Sequence, residues 1–490
     1  MLQDIKNTVK QSAIYGLSRI SLKFVSFILT PVISIYFTVS EYGVLDRFER
    51  FWQIIFAISL FGMETALLRW YTLTENKEEK KSLIFTILLY LTGLNIVLIL
   101  GGIVFSATLS QAIFDSSGYS NIIILTFLIA CFEALMVVPL SLLRAENKPG
   151  KYLLITIAST VIALIFQLYF LIYTNNKLEG IFISKFIAPS LTFLVLLPFL
   201  IKRINLKFSF RHLKELLAFT FPLMLTGVVS TLLNSVNRFI LGFIGKPDDV
   251  GLFSLASNIS GILTFVLISP FQLAFNAIFW QKLKDSNAAR FFTKSVTYSF
   301  LLYVWGALVI SLLIPYIIKV YIPTKPAYWE SQKLVSILSM SLVFYGMLTI
   351  SYMSYHHAKR NDLIFYFQCG ALVLNIILNY LLIPFWGMFG AAISTLVSFY
   401  LLIVFMYYFS GKYYFIKYES LKLYLIFILA GFIIFAFQYY DIQPKWLDIS
   451  LRLLACILFP LLLLPLRVYE KIEIQTAKKI INRYLKLNVR

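Results

Sequence analysis

The sequence predicts an all-α integral membrane protein of about fourteen transmembrane helices, and three observations carry that prediction. Of 490 residues, 60% are hydrophobic and 13% charged, with a mean hydropathy of +0.82, which leaves too little polar surface to cover a water-soluble fold of this size. Apolar stretches of about 20 residues, the length that crosses a bilayer, recur along the whole chain. They are continuous and do not alternate residue by residue, which excludes a membrane β-barrel.

In chain order the spans cover approximately residues 12–37, 45–70, 83–109, 120–143, 152–173, 179–201, 213–243, 249–280, 294–318, 334–356, 363–383, 387–409, 421–440 and 447–466. The first lacks a small-residue cleavage pattern and reads as a permanent span. The longest outer loops, near 110–119 and 319–333, are short, so no room is left for a soluble domain. Pro31, Pro139, Pro189, Pro222, Pro270 and Pro315 fall inside spans, where they kink helices. Cys131, Cys369 and Cys456 lie in apolar runs without metal-ligand or CxxC spacing, so neither a disulfide framework nor a metal site is expected. The short segments on one side carry 29 Lys and Arg, those on the other side 6, and the spans 8, together the 43 of the chain. Both termini are therefore expected to be cytoplasmic. The same asymmetry accounts for most of the net charge of +20 through the anionic cytoplasmic leaflet, with no nucleic acid invoked.

The halves of the chain repeat. Glu41-Tyr42-Gly43-Val44-Leu45 at the entry to the second span resembles Asp249-Val250-Gly251-Leu252-Phe253 at the entry to the eighth, an offset of 208. The same offset carries Lys23, Ser26 and Thr30 onto Thr231, Asn234 and Arg238, and Asp46, Glu49, Arg50 and Gln53 onto Ser254, Ser257, Asn258 and Gly261. Arg144-Ala145-Glu146-Asn147 resembles His357-Ala358-Lys359-Arg360 at an offset of 213. Two six-helix parallel repeats followed by two extra helices are expected, with a substrate site at the interface of the halves. The division is 1–201 for the first half, 202–212 for a cytoplasmic linker, 213–409 for the second half, 410–466 for the last two spans and 467–490 for a tail. In the tail, Ile472, Ala477, Ile480, Ile481, Tyr484 and Leu485 oppose Lys471, Lys478, Lys479, Arg483 and Lys486, the pattern of a basic helix lying on the cytoplasmic leaflet.

Eleven ionisable residues are read as lying at membrane depth. Eight are basic (Arg19, Lys23, Arg47, Arg50, Arg69, Lys185, Arg238, Arg452) and three acidic (Glu49, Glu64, Glu133). A charge at membrane depth is costly unless it meets a cavity or a partner, and the surplus of bases points to an anionic cargo. Arg69 is near the inner end of its span, and Arg47, Arg50, Arg238 and Arg452 are near outer ends, where long side chains either snorkel to the interface or turn inward. Arg19, Lys23, Lys185 and Arg238 are the candidates for an anionic headgroup. Spacings of three and four line up a polar stripe on the first span, including Tyr15 and Ser26, and another on the seventh, including Asn234 and Asn237. With Asn258 of the eighth span, these residues either line a water-accessible cavity or hydrogen-bond between helices. Glu64 and Glu133 are the candidates for coupling to H+ or Na+. No catalytic residue is expected, and no nucleotide motif supports direct ATP drive.

Gly62-Met63-Glu64-Thr65-Ala66-Leu67-Leu68-Arg69, the Glu41-Tyr42-Gly43 entry and, above all, Asn375-Ile376-Ile377-Leu378-Asn379-Tyr380-Leu381-Leu382-Ile383-Pro384 followed by Gly387, Gly390 and Ala391-Ala392-Ile393-Ser394-Thr395 resemble the polysaccharide exporter branch, the Wzx-type flippases, of the multidrug/oligosaccharidyl-lipid/polysaccharide (MOP) superfamily. In the last segment Pro384 is expected to stop a helix and Gly387 to turn into the next. The resemblance covers the whole chain. It implies a MATE-like two-lobed fold that rocks between inward-open and outward-open states. It also implies a flippase, not an enzyme, in the bacterial cytoplasmic membrane, moving undecaprenyl-pyrophosphate-linked oligosaccharide of the O-antigen or exopolysaccharide type, with a groove for the prenyl tail at the last two spans. Membrane lipids, a polysaccharide polymerase and glycosyltransferases are the implied partners. Two alternatives stay open: a MATE-type cation or drug antiporter, whose cavity would be acid-rich, and a lipid II flippase. A membrane polymerase or glycosyltransferase would carry a larger outer loop or catalytic portion.

Overall fold

The computed structural model describes residues 28–465 apart from 284, 286 and 441, together with 468, 469 and 475. Among the described residues every regular element is helical: α1, described over 28–36, then α2 (Val39–Leu60), α3 (Met63–Leu73), α4 (Lys77–Val104), α5 (Ser106–Phe114), α6 (Ser120–Ala145), α7 (Pro149–Tyr173), α8 (Lys177–Ile201) and α9 (Phe210–Ile244). There follow α10 (Pro247–Leu263), α11 (Ser269–Lys282), α12 (Ala288–Tyr321), α13 (Gln332–His357), α14 (Asn361–Trp386), α15 (Met388–Ser410), α16 (Ser420–Tyr439) and α17 (Lys445–Leu462). Twelve described spans are long and apolar enough to cross a membrane. α17 is also a helix but carries Lys445, Asp448 and Arg452, and most of the first expected span lies outside the described residues. The fold is thus the multi-pass helical one expected, with fourteen spans as an approximate number.

Three predicted spans are interrupted, each for a local reason. The second breaks into α2 and α3 where Phe61 and Gly62 both adopt left-handed backbone, φ 51° and 69°. The third ends at Val104 and resumes as α5. The eighth passes through a π-helical turn at Thr264–Ile268. Pro270 has no N–H and its ring crowds the carbonyl four residues back, at Val266, and the widened turn relieves both. One expectation is corrected: Pro384 does not stop its helix. α14 runs through it to Trp386, and the break falls at Gly387, φ +50°, where a Cβ would lie 2.7 Å from Asp249 Oδ2. The Asp249 carboxylate accepts the Met388 N–H and so caps α15.

The chain divides into two compact units. The first holds the residues up to Leu255 with Thr324–Tyr328 and Phe365–Ser394. Within it α6 lies between α2 and α8, edge-on aromatic pairs holding each contact: Phe51 with Phe127 at 6.0 Å and Phe132 with Phe186 at 5.4 Å. Phe48 is fully buried, stacked on Phe114 at 3.8 Å. Lys325 and Tyr328 donate to the Phe37 carbonyl at 2.7 and 3.0 Å, satisfying an acceptor that the end of α1 leaves open. The second unit holds Ala256–Pro323, Trp329–Ile364 and the chain from Thr395 onward. There α12 packs against α13, α16 and α17, and the Trp305 indole donates to the Cys456 carbonyl at 2.8 Å. In lipid such contacts are held by close packing and interhelical hydrogen bonds, because hydrocarbon is as apolar as the side chains themselves.

Candidate functional site

The charged groups of the first unit begin with a helix start. Thr38 and Glu41 form a reciprocal capping box, so α2 opens at Val39 and Asp46 lies seven residues in, about 10 Å along the axis. Asp46 is 3% exposed and gathers three partners: Arg50 Nη2 at 3.0 Å, Arg238 Nε at 2.6 Å and the Ser254 hydroxyl, which donates at 2.7 Å. The Arg238 contact is an ion pair and not an aligned Nε–H hydrogen bond. Arg50 donates to Gln53 Oε1 at 3.2 Å, and Arg238 to the Asn234 carbonyl at 2.8 Å, with its guanidinium 5.3 Å from the Phe253 ring. One carboxylate thus serves two guanidinium groups. Next on α9, Asn237 accepts from Asn379 Nδ2 at 2.6 Å, and Asn379 also donates to Asn375 Oδ1 at 2.9 Å. Asp46 and Ser254 are separated by the repeat offset of 208, and so are Gly43 and Gly251, which meet backbone to backbone.

A second group is more open. Lys185 of α8 donates to Glu49 of α2 at 2.6 Å, with exposures of 23% and 32%, and its ammonium lies 5.6 Å from the Trp52 ring and 5.8 Å from the Phe182 ring. Glu133 of α6 is within electrostatic reach of Lys185 and beside the Trp52 indole, whose N–H is not aligned on it for a hydrogen bond. Counted from the ends of α2, α6 and α8 that face away from the basic loops, these groups lie roughly 12 to 20 Å deep at 1.5 Å per residue. A half-exposed ion pair at that depth must face water or a polar ligand, since hydrocarbon would leave it unsolvated. The Lys185 ammonium and the Trp52 indole can donate to an anionic group, and the Glu49 and Glu133 carboxylates can accept from hydroxyls.

The remaining expected residues scatter. Glu64 pairs with Arg144 at 2.5 Å, at the opposite end of α6 from the groups above. Arg69 is exposed, its guanidinium over the Trp70 and Phe219 rings at 5.2 and 4.9 Å. Arg47 and Arg238 are buried, so neither snorkels. In the second unit Arg452 is buried as well. It donates to Asp448 Oδ2 at 2.8 Å and to the carbonyls of Leu312 and Phe437, while Tyr316 donates to Asp448. Asn234 donates to the Ser230 carbonyl of its own helix, and Asn258 is exposed in the second unit. Arg19, Lys23, Tyr15 and Ser26, like the residues on which the basic tail helix is read, lie outside the described residues. Sequence reasoning missed Asp46, Arg144 and Asp448. For Asp46 the signal was present as the repeat offset of 208 that aligns it with Ser254.

The second unit contains an apolar groove of about 460 Å³ among α12, α13, α15 and α16. Phe300, Phe344, Leu396 and Phe427 line it, and at one edge the hydroxyls of Tyr400 and Tyr424 are 2.9 Å apart.

Comparison with known proteins agrees with this architecture. Residues 32–302, more than half of the chain, match the family described as "Polysaccharide biosynthesis protein". The "Lsg locus putative protein 1" of Haemophilus influenzae is 22% identical over 370 residues, covering 74% of this chain and 88% of that protein. Among solved structures, the lipid II flippase MurJ in an inward closed conformation has a TM-score of 0.72 at 19% identity, covering 94% of this chain and 99% of that one. An inward-facing MATE family multidrug transporter of the MOP superfamily has a TM-score of 0.65 at 13% identity, covering 81% and 93%. The fold is thus that of these two structures. The chain belongs to the polysaccharide biosynthesis protein family.

Proposed function

We propose that this protein moves oligosaccharide repeat units linked to undecaprenyl pyrophosphate, of the O-antigen or exopolysaccharide type, from the cytoplasmic to the outer leaflet of the bacterial cytoplasmic membrane by alternating access. The observation that carries the proposal is the half-exposed Lys185–Glu49 pair beside Trp52 and Glu133 at membrane depth. A pyrophosphate sheds hydration as it crosses, and a cation in a low-dielectric site replaces that hydration with charge-assisted hydrogen bonds. Arg19, Lys23 and Lys185 contact the pyrophosphate, and Arg238 acts from within the Asp46 cluster. Tyr15, Ser26, Asn234, Asn237 and Asn258 serve the sugars and the cavity wall. The tyrosine-edged groove of the second unit takes the prenyl tail, as the resemblance of the last two spans implies. The two lobes are 1–201 and 213–409, both termini are cytoplasmic, and a polymerase and glycosyltransferases act on the same cargo.

The test is translocation in proteoliposomes. Purified protein is reconstituted with a fluorescent prenyl-pyrophosphate-linked oligosaccharide, and access of that lipid to an impermeant reagent is followed. The protein is expected to equilibrate the lipid between leaflets, and Lys185→Gln to slow it. A wild-type protein that moves a cationic drug and leaves this lipid in place would overturn the proposal. The same assay with lipid II tests the related cargo that shares the pyrophosphate and prenyl chain.

A further inference from the structure

A polar cavity of about 230 Å³ lies at the ends of α2, α9 and α10, away from the groups described above. Arg47 reaches it from α2 and is 9% exposed. Among the described residues its guanidinium makes one hydrogen bond, Nη1 to the Ile113 carbonyl at 3.3 Å, and rests 5.1 Å from the Phe114 ring, while its Nε has no acceptor. Arg238 and Arg452, the other buried arginines, each meet a carboxylate within 3 Å, Asp46 and Asp448. Arg47 does not: Asp115, at the rim, is within electrostatic range but forms no ion pair with it. A buried cation with most of its N–H groups unspent is unfavourable unless something brings oxygens to it.

The walls are shaped for a ligand at this guanidinium. A Cβ on Gly242 would stand 2.5 Å from Arg47 Nη1, so the guanidinium packs against a position that only a glycine leaves clear. Ser40 adds a hydroxyl, and the exposed Asp115 carboxylate adds an acceptor. The volume falls below the roughly 300–1,000 Å³ of sites for drug-sized ligands, which limits the occupant to a single ring.

We propose that this cavity is a subsite for one carboxylate-bearing sugar ring, its carboxylate on Arg47 and its hydroxyls on Asp115 and Ser40. By the charge asymmetry of the loops it opens on the outer face. That the occupant is a sugar rests on the polysaccharide reading above. That it is acidic rests on Arg47. Because α2 forms one wall and α9 and α10 the other, an occupant also holds these helices together.

The test is calorimetric titration of the purified full-length protein with glucuronate, glucose and inorganic phosphate, which needs no translocation and so fails or succeeds apart from the flippase reading. Glucuronate is expected to bind, and glucose, lacking the carboxylate, to bind on the order of ten-fold more weakly. Arg47→Gln should weaken glucuronate binding by on the order of thirty-fold or more. Asp115→Asn, at an exposed position, should weaken it several-fold and provides the comparison if Arg47→Gln does not fold. No binding of glucuronate to the wild type, wild-type affinity in both variants, or phosphate binding as tightly as glucuronate would each overturn the assignment.

Discussion

Asp46 holds two guanidinium groups where water does not reach, and its removal leaves both without their shared counter-ion. Breaking a buried charge pair from one side costs about 3–5 kcal/mol, more than the pair itself contributes. Asp46→Asn is therefore expected to lower the melting midpoint in detergent markedly, and adding Arg238→Gln to restore part of it. An unchanged midpoint in Asp46→Asn would show that the cluster is not the buried ionic centre described. Glu146, just beyond the end of α6, shows the ordinary case. Burial pushes its carboxyl up, but hydrogen bonds from Arg203 at 2.5 and 2.9 Å and from Lys148 outweigh burial and hold it below the usual range. A carboxyl depressed on folding contributes stability above its unfolded pKa, and that contribution is lost as pH falls through the folded value. Glu146→Gln should thus melt lower at neutral pH, by the equivalent of about 1 kcal/mol for a pair partly screened by solvent. The difference should shrink as pH falls through and below the ordinary carboxylate range, and one that does not change with pH would contradict this account of the pair.

At the scale of elements, α10 meets α2 through a close backbone approach at Gly43 and Gly251 beside the Ser254–Asp46 hydrogen bond. A Cβ on Gly251 would lie 1.9 Å from the Val39 carbonyl oxygen, an overlap that only separation of the helices relieves. Gly251→Ala should cost about 1–3 kcal/mol or more and reduce the yield of folded protein, while Gly261→Ala, with nothing within 4 Å, should be tolerated. Equal yields from the two would contradict the close approach. This contact was legible in the sequence: the offset of 208 aligned Gly43 with Gly251 and Asp46 with Ser254, and each aligned pair touches. The helix boundaries were legible where an apolar run simply ended. They were misread where backbone conformation decided, as at Phe61 and Gly62, and at Pro384, which α14 passes through before breaking at Gly387. The fate of the arginines was not legible at all. Whether Arg238 or Arg452 snorkels depends on acceptors that only the fold brings near, Asp46 from 192 residues away and the carbonyls of Leu312 and Phe437.

For the whole molecule, a transport cycle needs charges that exchange partners, and the half-exposed groups are better placed for that than the buried ones. Glu64 faces Arg144 near one end of the first unit, and Glu133 lies near Lys185 deeper in. At least one of the two is proposed to exchange H+ or Na+ during the cycle, as acids at membrane depth commonly do. Translocation by the Glu64→Gln, Glu133→Gln double variant should then lose its dependence on the ion gradient, and an unchanged dependence would remove both from coupling. The central claim is that bases at membrane depth read the pyrophosphate of the cargo. Arg19 and Lys23 test it most directly, because a spacing of four in the first predicted span is expected to put both on one helical face, about 10 to 17 Å along from Ser12. Replacing both with Gln keeps polarity and removes charge. The measurement is the rate at which the reconstituted, correctly folded Arg19→Gln, Lys23→Gln protein moves prenyl-pyrophosphate-linked oligosaccharide between leaflets. Loss of translocation is the predicted result, and translocation at the wild-type rate would contradict the account.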